Sequence, residues 1–589
     1  MSLLSSATAP PSVCAIDNNA RRPATALRRS GRQWPIRCAT EKVPARKYVQ
    51  YLPNLRTAGD IQSCTRSFEV EEEHKVRKFD ILKEKTRNLI YEKKEVEEQL
   101  QLIDNLQQLG VAYHFKDEIE DALRGFHGSL NDIINLQLKD NLHASAQLFR
   151  LLRENGFSVT DDVDIFRRFK SEKKAHLTAS VQDTEGILSL YEASYYAKEG
   201  EVILDEAMDF TTKHLINLLD KGFINEPGLR ERVAHSLELP LNWRFQRLHT
   251  RWFIEHFSRS KTEHMNPLLL DLAKLDFNAV QDMHKDELKQ LSRWWTDLGL
   301  AQHLPFFRDR LTFNFLWTVG GAFEPQFGSS REVETKANCF IAMLDDVYDV
   351  YGTLEELELI TDAIDRWDVN AIEKFPDYLK LCFLAIFNTA NDAAYRITKE
   401  KGLDILPYLK RAWRDLCNAF LVEAKWSHRS YTPTLQEYLD NAWISASCHV
   451  FLTHAYCTSP YLTKQDLENF NAYPKLLQHS SVIFRLNNDL VESESSGDAS
   501  SIHSLMQEKG VSEAEARGEV KKMIMDNWKA MNGDRVNYTC GFEENFKICA
   551  INLARMSHFF YRNIDRYSEA ADGEIKNAVT SILEEHITL

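Results

Sequence analysis

Apolar residues recur at helical spacing along most of the chain. In "NLIYEKKEVEEQLQLIDNLQQLG", Val96, Leu100 and Ile103 stand at i, i+4 and i+7 among charged residues, and Gly110 supplies a stop. The pattern returns in "DNLHASAQLFRLLRENG", "TEGILSLYEASYYAKEG" and "EVILDEAMDFTTKHLINLLDKG", each closing near a glycine as helix C-termini often do. Alternating segments long enough for strands are scarce, and no fixed-period repeat points to a solenoid. The polar stretch "FSRSKTEHMNPLL", Phe257 to Leu269, carries Asn-Pro and separates two helical blocks. The expectation is an all-α protein of two helical domains, residues 43–262 and 263–589, behind a leader of residues 1–42.

Composition sharpens this picture in three ways. At 589 residues the chain is too long for one ordinary core. A formal net charge of -15 argues against nucleic acid or an anionic membrane as partner. Wholly apolar runs such as "CFIAML" and "CFLAIF" fall far short of the roughly 20 residues that span a bilayer, so a soluble protein is expected. The ten cysteines are scattered without a CxxC pair or zinc spacing, which suits reduced, buried thiols. The first forty residues hold six arginines and one acid, Asp17, the composition of an organelle transit peptide. A disordered basic tail with no address is the other reading of the same composition.

The candidate chemistry begins at "CFIAMLDDVYDVYG", which sets Asp345, Asp346 and Asp349 among apolar and aromatic neighbours. Taking ionised carboxylates out of water costs several kcal/mol each unless a cation compensates them. If Phe340 to Tyr351 is one helix, Asp345 and Asp349 share a face at i and i+4, and Mg²⁺ relieves their repulsion. Gly352 then ends that helix, and Thr353 with Glu356 forms a capping box for the next. An acidic turn facing solvent is the plainer alternative. A second segment, "IFRLNNDLVESESSGD", offers Asn488, Asp489, Glu492 and Glu494 just after Arg485. In a third, "FFRDRLTF", Arg308 and Arg310 bracket Asp309 roughly thirty-five residues before the aspartates. Arginine grips diphosphate through paired hydrogen bonds, and an ordinary salt-bridge cluster is the equal alternative.

Taken together these stretches resemble the class I plant terpene synthases, and the resemblance runs from about Arg46 onward. "DDVYD" is similar to that family's aspartate-rich motif, "FRLNNDL" to the start of its second metal motif, and "RDR" to its RxR motif. "LSRWWTDLGL", "FLWTVG", "YGTLEELELIT" and "RWDVNAIEKFPDYLKLCF" are similar to the plastid monoterpene and isoprene synthase branch. The resemblance implies an N-terminal α-barrel-like domain without catalysis and a C-terminal α-bundle holding the active site. Three Mg²⁺ or Mn²⁺ ions would bind the diphosphate of a prenyl substrate. Asp345, Asp346 and Asp349 carry over as metal ligands with Asn488, Glu492 and Ser496, and Arg308, Arg310 and Arg485 as diphosphate holders. Trp317, Phe484 and Tyr561 are candidates to face a carbocation, or ordinary core residues.

Two departures from the family pattern bear on the product. In the second metal motif Ser or Thr is usual where Glu492 stands, and Glu where Ser496 stands, with Glu494 close by, which predicts weakened metal binding or turnover. Near the start, "RKYVQYLPNLR" has Arg46-Lys47 for a tandem arginine pair and Arg56 where ring-forming members carry Trp. That erosion favours acyclic products of the ocimene, myrcene or linalool type. Phe484 is bulky as in isoprene synthases, whereas Asn338 replaces a second Phe, which leaves room for ten carbons. The expected activity is therefore that of a plastid monoterpene synthase acting on geranyl diphosphate, as a monomer or weak homodimer in the stroma. An isoprene synthase using dimethylallyl diphosphate and a helical prenyl-diphosphate-binding protein without turnover are the alternatives.

Overall fold

The computed structural model describes residues 56–63, 69–160, 183–259, 266–304, 306–307, 309–470, 472–491, 499–536, 543–562 and 569–589. It is a two-domain all-α fold, and no strand occurs among the described residues. Helices cover Val96–Gln108, Leu142–Glu154 and Val202–Asp220, where the periodicity predicts them. Gly110, Gly156 and Gly222 follow these three at positive φ. The helix that starts at Thr184 stops at Ser194, well before Gly200. The reason is long-range: Arg153 donates to the Tyr196 carbonyl at 2.7 Å, and Asn532 donates to the Tyr195 and Ala197 carbonyls at 3.0 and 2.9 Å. Those carbonyls are thereby satisfied outside a helix.

One long helix, Pro267–Leu298, runs through both domains. Asn266 caps it by accepting from the Leu268 N–H at 3.0 Å, Pro267 presets the first turn, and Gly299 ends it at φ +69°. Its length of 32 residues corresponds to about 48 Å. Leu269, Leu272, Ala273 and Phe277 belong to a core with Leu100, Phe115, Leu148 and Phe253. Further along, Leu288, Leu291 and Trp295 belong to a second, larger core with Trp317, Phe340, Trp413 and Phe560. The expected boundary at 262/263 lies between the helix Gln246–Arg259 and this one, in residues 260–265, outside the described residues. No described helix is long and apolar enough to cross a membrane. The described cysteines are free and buried, as expected.

The C-terminus closes the molecule on itself. The π-turn Thr580–Glu584 follows the helix Glu569–Val579. Arg251 and Gln281 both donate to the Ser581 and Glu585 carbonyls. Asn278 pairs twice with the Ile587 backbone at 2.8 Å, and His586 meets Asp282 at 2.8 Å. Arg56 reaches the same turn from the other end of the chain, with Nε and Nη2 donating to the two Glu584 oxygens at 2.5 and 2.6 Å. The Arg56 and Glu584 side chains are partly exposed, so the ion pair alone is a small term, whereas the backbone clasp is not. Arg56→Ala should lower the unfolding free energy by about 1 kcal/mol or less, and deletion of residues 580–589 by several times that, both measured by urea unfolding.

Candidate active site

The aspartates sit at the end of the helix Gly328–Asp346. Asp345 is 3% exposed and Asp346 1%, between fully buried Met343, Leu344 and Val347, whereas Asp349 reaches the surface. Phe340 to Tyr351 is not a single α-helix as expected. After Asp346 the backbone widens into a π-turn, Val347–Tyr351, closed by Gly352 N–H donating to the Val347 carbonyl at 2.7 Å. Such turns re-aim side chains at functional sites. Glycine is required at its end, because a Cβ on Gly352 would lie 2.9 Å from the Val347 carbonyl oxygen and 2.6 Å from Leu357 Cδ2. The Thr353–Glu356 capping box forms as predicted, and Tyr378 O–H donates to the same Glu356 at 2.8 Å.

The second segment closes the helix Lys475–Asp489. Asn487 Nδ2 donates to Ser557 Oγ at 2.9 Å, whereas the neighbouring Asn488, 2% exposed, has a buried Nδ2 with no partner. A buried donor in that state costs about 1–3 kcal/mol until an acceptor arrives. Arg485 Nε donates to Tyr438 Oη at 2.5 Å and to Asp489 Oδ1 at 3.0 Å. Glu492, Glu494 and Ser496 lie outside the described residues, as does Arg308. Among the described residues no three His, Cys, Asp or Glu side chains converge as a metal-holding group. The aspartate helix and the Arg485 helix both pack against the helix Cys448–Thr458.

The three predicted aromatics do come together. Trp317 lies 5.3 Å from Phe484, and Phe484 lies 5.3 Å from Tyr561 in an edge-to-face contact, all three buried. Phe560 stacks on Trp317 at 4.2 Å and meets Phe313 at 4.9 Å, adding two rings the sequence reading missed. Phe313 stands four residues before Trp317, a spacing that marks it in retrospect. Arg310 lies over the Phe313 ring at 5.7 Å, at the head of the helix Leu311–Gly321. Asp309 accepts from the Trp295 indole at 2.9 Å, which fixes the residue between the two arginines. Asn338 is 4% exposed and donates to the Asn314 carbonyl at 3.5 Å.

Glu334 also went unnoticed in the sequence. It is 1% exposed, with Oε2 unpartnered, and burial pushes its carboxyl up to about 8 against an opposing pull from Arg331. Arg331 itself is spent on a paired bridge to Glu287 and on the Ala322 and Glu324 carbonyls. Helical spacing puts Glu334 on one stripe with Asn338 and Asp345. Burial thus favours the neutral form of Glu334, whereas Glu332 on the same helix is held below the ordinary carboxylate range, against burial, by Lys336 and Arg396.

The profile described as "Terpene synthase, N-terminal domain" matches residues 57–237, and "Terpene synthase family, metal binding domain" matches residues 296–530. "Monoterpene synthase 8, chloroplastic" of Hedychium coronarium is 54% identical over 561 residues, 93% of this chain and 94% of that one. Among solved structures, isoprene synthase from grey poplar leaves (Populus x canescens), in complex with three Mg²⁺ ions and dimethylallyl-S-thiolodiphosphate, is 42% identical. It aligns with a TM-score of 0.81 over 91% of this chain and 99% of that one. Limonene synthase with 2-fluorolinalyl diphosphate is 36% identical, with a TM-score of 0.84 over 92% and 100%.

Two outcomes follow from the geometry. A carboxyl whose pKa rises on folding contributes stability that is complete below its ordinary 4.5 and lost as pH climbs to about 8. Glu334→Gln should therefore melt like the parent in acid and at a higher temperature above pH 8, read by calorimetry. Gly352→Ala should cost about 1–3 kcal/mol in urea unfolding by forcing the π-turn open.

Proposed function

Because the chain belongs to the terpene synthase family and is an enzyme of that kind, we propose that it converts geranyl diphosphate to an acyclic monoterpene. The observation that carries the reading is the buried wall of Trp317, Phe484 and Tyr561, whose middle member, Phe484, lies on the helix that also holds Arg485 and Asn488. It sets aromatic faces for a cation beside groups suited to a diphosphate. The 54% identity to a chloroplastic monoterpene synthase supports both the ten-carbon substrate and a plastid address for residues 1–42.

Asp345, Asp346 and Asp349 would hold divalent metal from one side and Asn488, with Glu492 and Ser496, from the other. The Asn488 amide oxygen and the carboxylates of Asp345 and Asp346, on three buried residues, are oxygen ligands of the kind hard cations take. When bound, Mg²⁺ or Mn²⁺ neutralises the diphosphate and so lowers the barrier to its departure. Three ions are expected, as in the poplar enzyme's complex. Arg485, Arg308 and Arg310 bind the diphosphate oxygens and keep them oriented away from the hydrocarbon. The rings of Trp317, Phe484 and Tyr561 exclude water and face the allylic cation, each worth about 2 kcal/mol when desolvated. Loss of a proton gives an acyclic hydrocarbon, and capture of water an acyclic alcohol.

Two features support the absence of ring closure and the substrate length. Arg56, at the position of the ring-forming members' Trp, is committed to Glu584. Phe484 narrows one wall while Asn338 leaves the helix of the aspartates slim. The same Phe484, with the likeness to isoprene synthase, makes dimethylallyl diphosphate the one competing substrate. The enzyme would act as a monomer or weak homodimer.

Headspace gas chromatography with mass spectrometry on protein lacking the leader, given Mg²⁺ and dimethylallyl, geranyl or farnesyl diphosphate in turn, tests this. An acyclic ten-carbon product from geranyl diphosphate is expected, and isoprene alone from the five-carbon substrate overturns the assignment. Asp345→Ala should reduce turnover by at least about a thousandfold with an unchanged helical circular dichroism spectrum.

A further inference from the structure

Asp489 stands next to Asn488 yet is fully buried, and both its oxygens are already committed. Oδ1 accepts from Tyr438 O–H at 2.8 Å and from Arg485 Nε at 3.0 Å, and Oδ2 accepts from the Ser501 N–H at 3.0 Å. Arg485 Nε also reaches Tyr438 Oη at 2.5 Å, which closes a triangle of guanidinium, phenol and carboxylate. Each corner comes with its own support. Tyr438 is fully buried in the helix Leu435–Ser445, which opens with a Thr434–Glu437 capping box. Ser501 is the first residue of the helix Ser501–Lys509, whose N-terminal partial charge favours a carboxylate.

We propose that Asp489 is a positioning residue for diphosphate binding: it orients the Arg485 guanidinium through Tyr438 and ties it to the start of the helix Ser501–Lys509. This rests on the reading of Arg485 as a diphosphate holder. Turning the guanidinium away would break two charge-assisted hydrogen bonds and strand a buried carboxylate, so Arg485 is held ready before substrate arrives. The arrangement separates the two neighbours by role. Asn488 keeps an amide with an unpartnered donor, whereas Asp489 has no oxygen without a protein partner.

The test is Mg²⁺-dependent binding of inorganic pyrophosphate by titration calorimetry, at a temperature where circular dichroism shows each variant folded. Asp489→Asn is expected to weaken binding about tenfold and Tyr438→Phe several-fold. The double variant should be no weaker than Asp489→Asn alone, because both act through one path. Asp489→Glu, which restores the charge, should recover part of the loss, and KM for geranyl diphosphate should rise in the same order. A buried carboxylate that only stabilises the fold would lower the melting temperature and leave pyrophosphate affinity untouched. Parental affinity in Asp489→Asn, or in Tyr438→Phe should Asp489→Asn not fold, overturns the proposal while Arg485→Gln still binds weakly. If Arg485→Gln binds like the parent, the reading of Arg485 itself falls, and the proposal with it.

Discussion

Everything at this site depends on keeping ionisable groups out of water inside a bundle of hydrocarbon. Asp345 and Asp346 are buried beside Leu344 and Val347, and Arg485 and Asp489 beside Phe484 and Leu486. Charges so placed are stable only when each is met by an opposite charge or a hydrogen bond, and the penalty for failure is several kcal/mol. The protein answers differently at each level of the bundle. Around Arg485 it supplies fixed partners from three helices. At Glu334, deeper on the aspartate helix, burial favours the protonated form instead.

The N-terminal domain contributes to this arrangement through shared scaffolding. Pro267–Leu298 carries side chains of both cores, so a shift of one core is transmitted to Trp295, which holds Asp309 beside Arg310. Arg331, fully buried, adds a second tie by pairing the same long helix, at Glu287, to the start of the aspartate helix. Packed interiors deform little, and a helix common to two cores passes displacement on with small loss.

Local pattern revealed what local physics controls. The helix Val96–Gln108, the Thr353–Glu356 cap and the aromatic identities of Trp317, Phe484 and Tyr561 all rest on residues within a few positions of each other. The π-turn was not legible, because Asp345 and Asp349 fit ordinary helical spacing equally well; only the close approach of Gly352 to Val347 distinguishes the two. Partners distant along the chain were out of reach altogether. Nothing in "QEYLDNAWIS" marks Tyr438 as the phenol that meets Asp489, 51 positions on. Glu334 was missed because a single acid within a helical pattern looks like a solvated face until its burial is known.

Arg56 and Glu584 touch although 528 positions separate them. Since synthesis proceeds from the N-terminus, that contact forms only after the residues between its partners have been made. The clasp that Ser581, Glu585 and Ile587 form on the long helix waits with it. Residues 580–589 therefore settle late on a helix already in place, and the surface of Pro267–Leu298 that they cover stays open to water until they do.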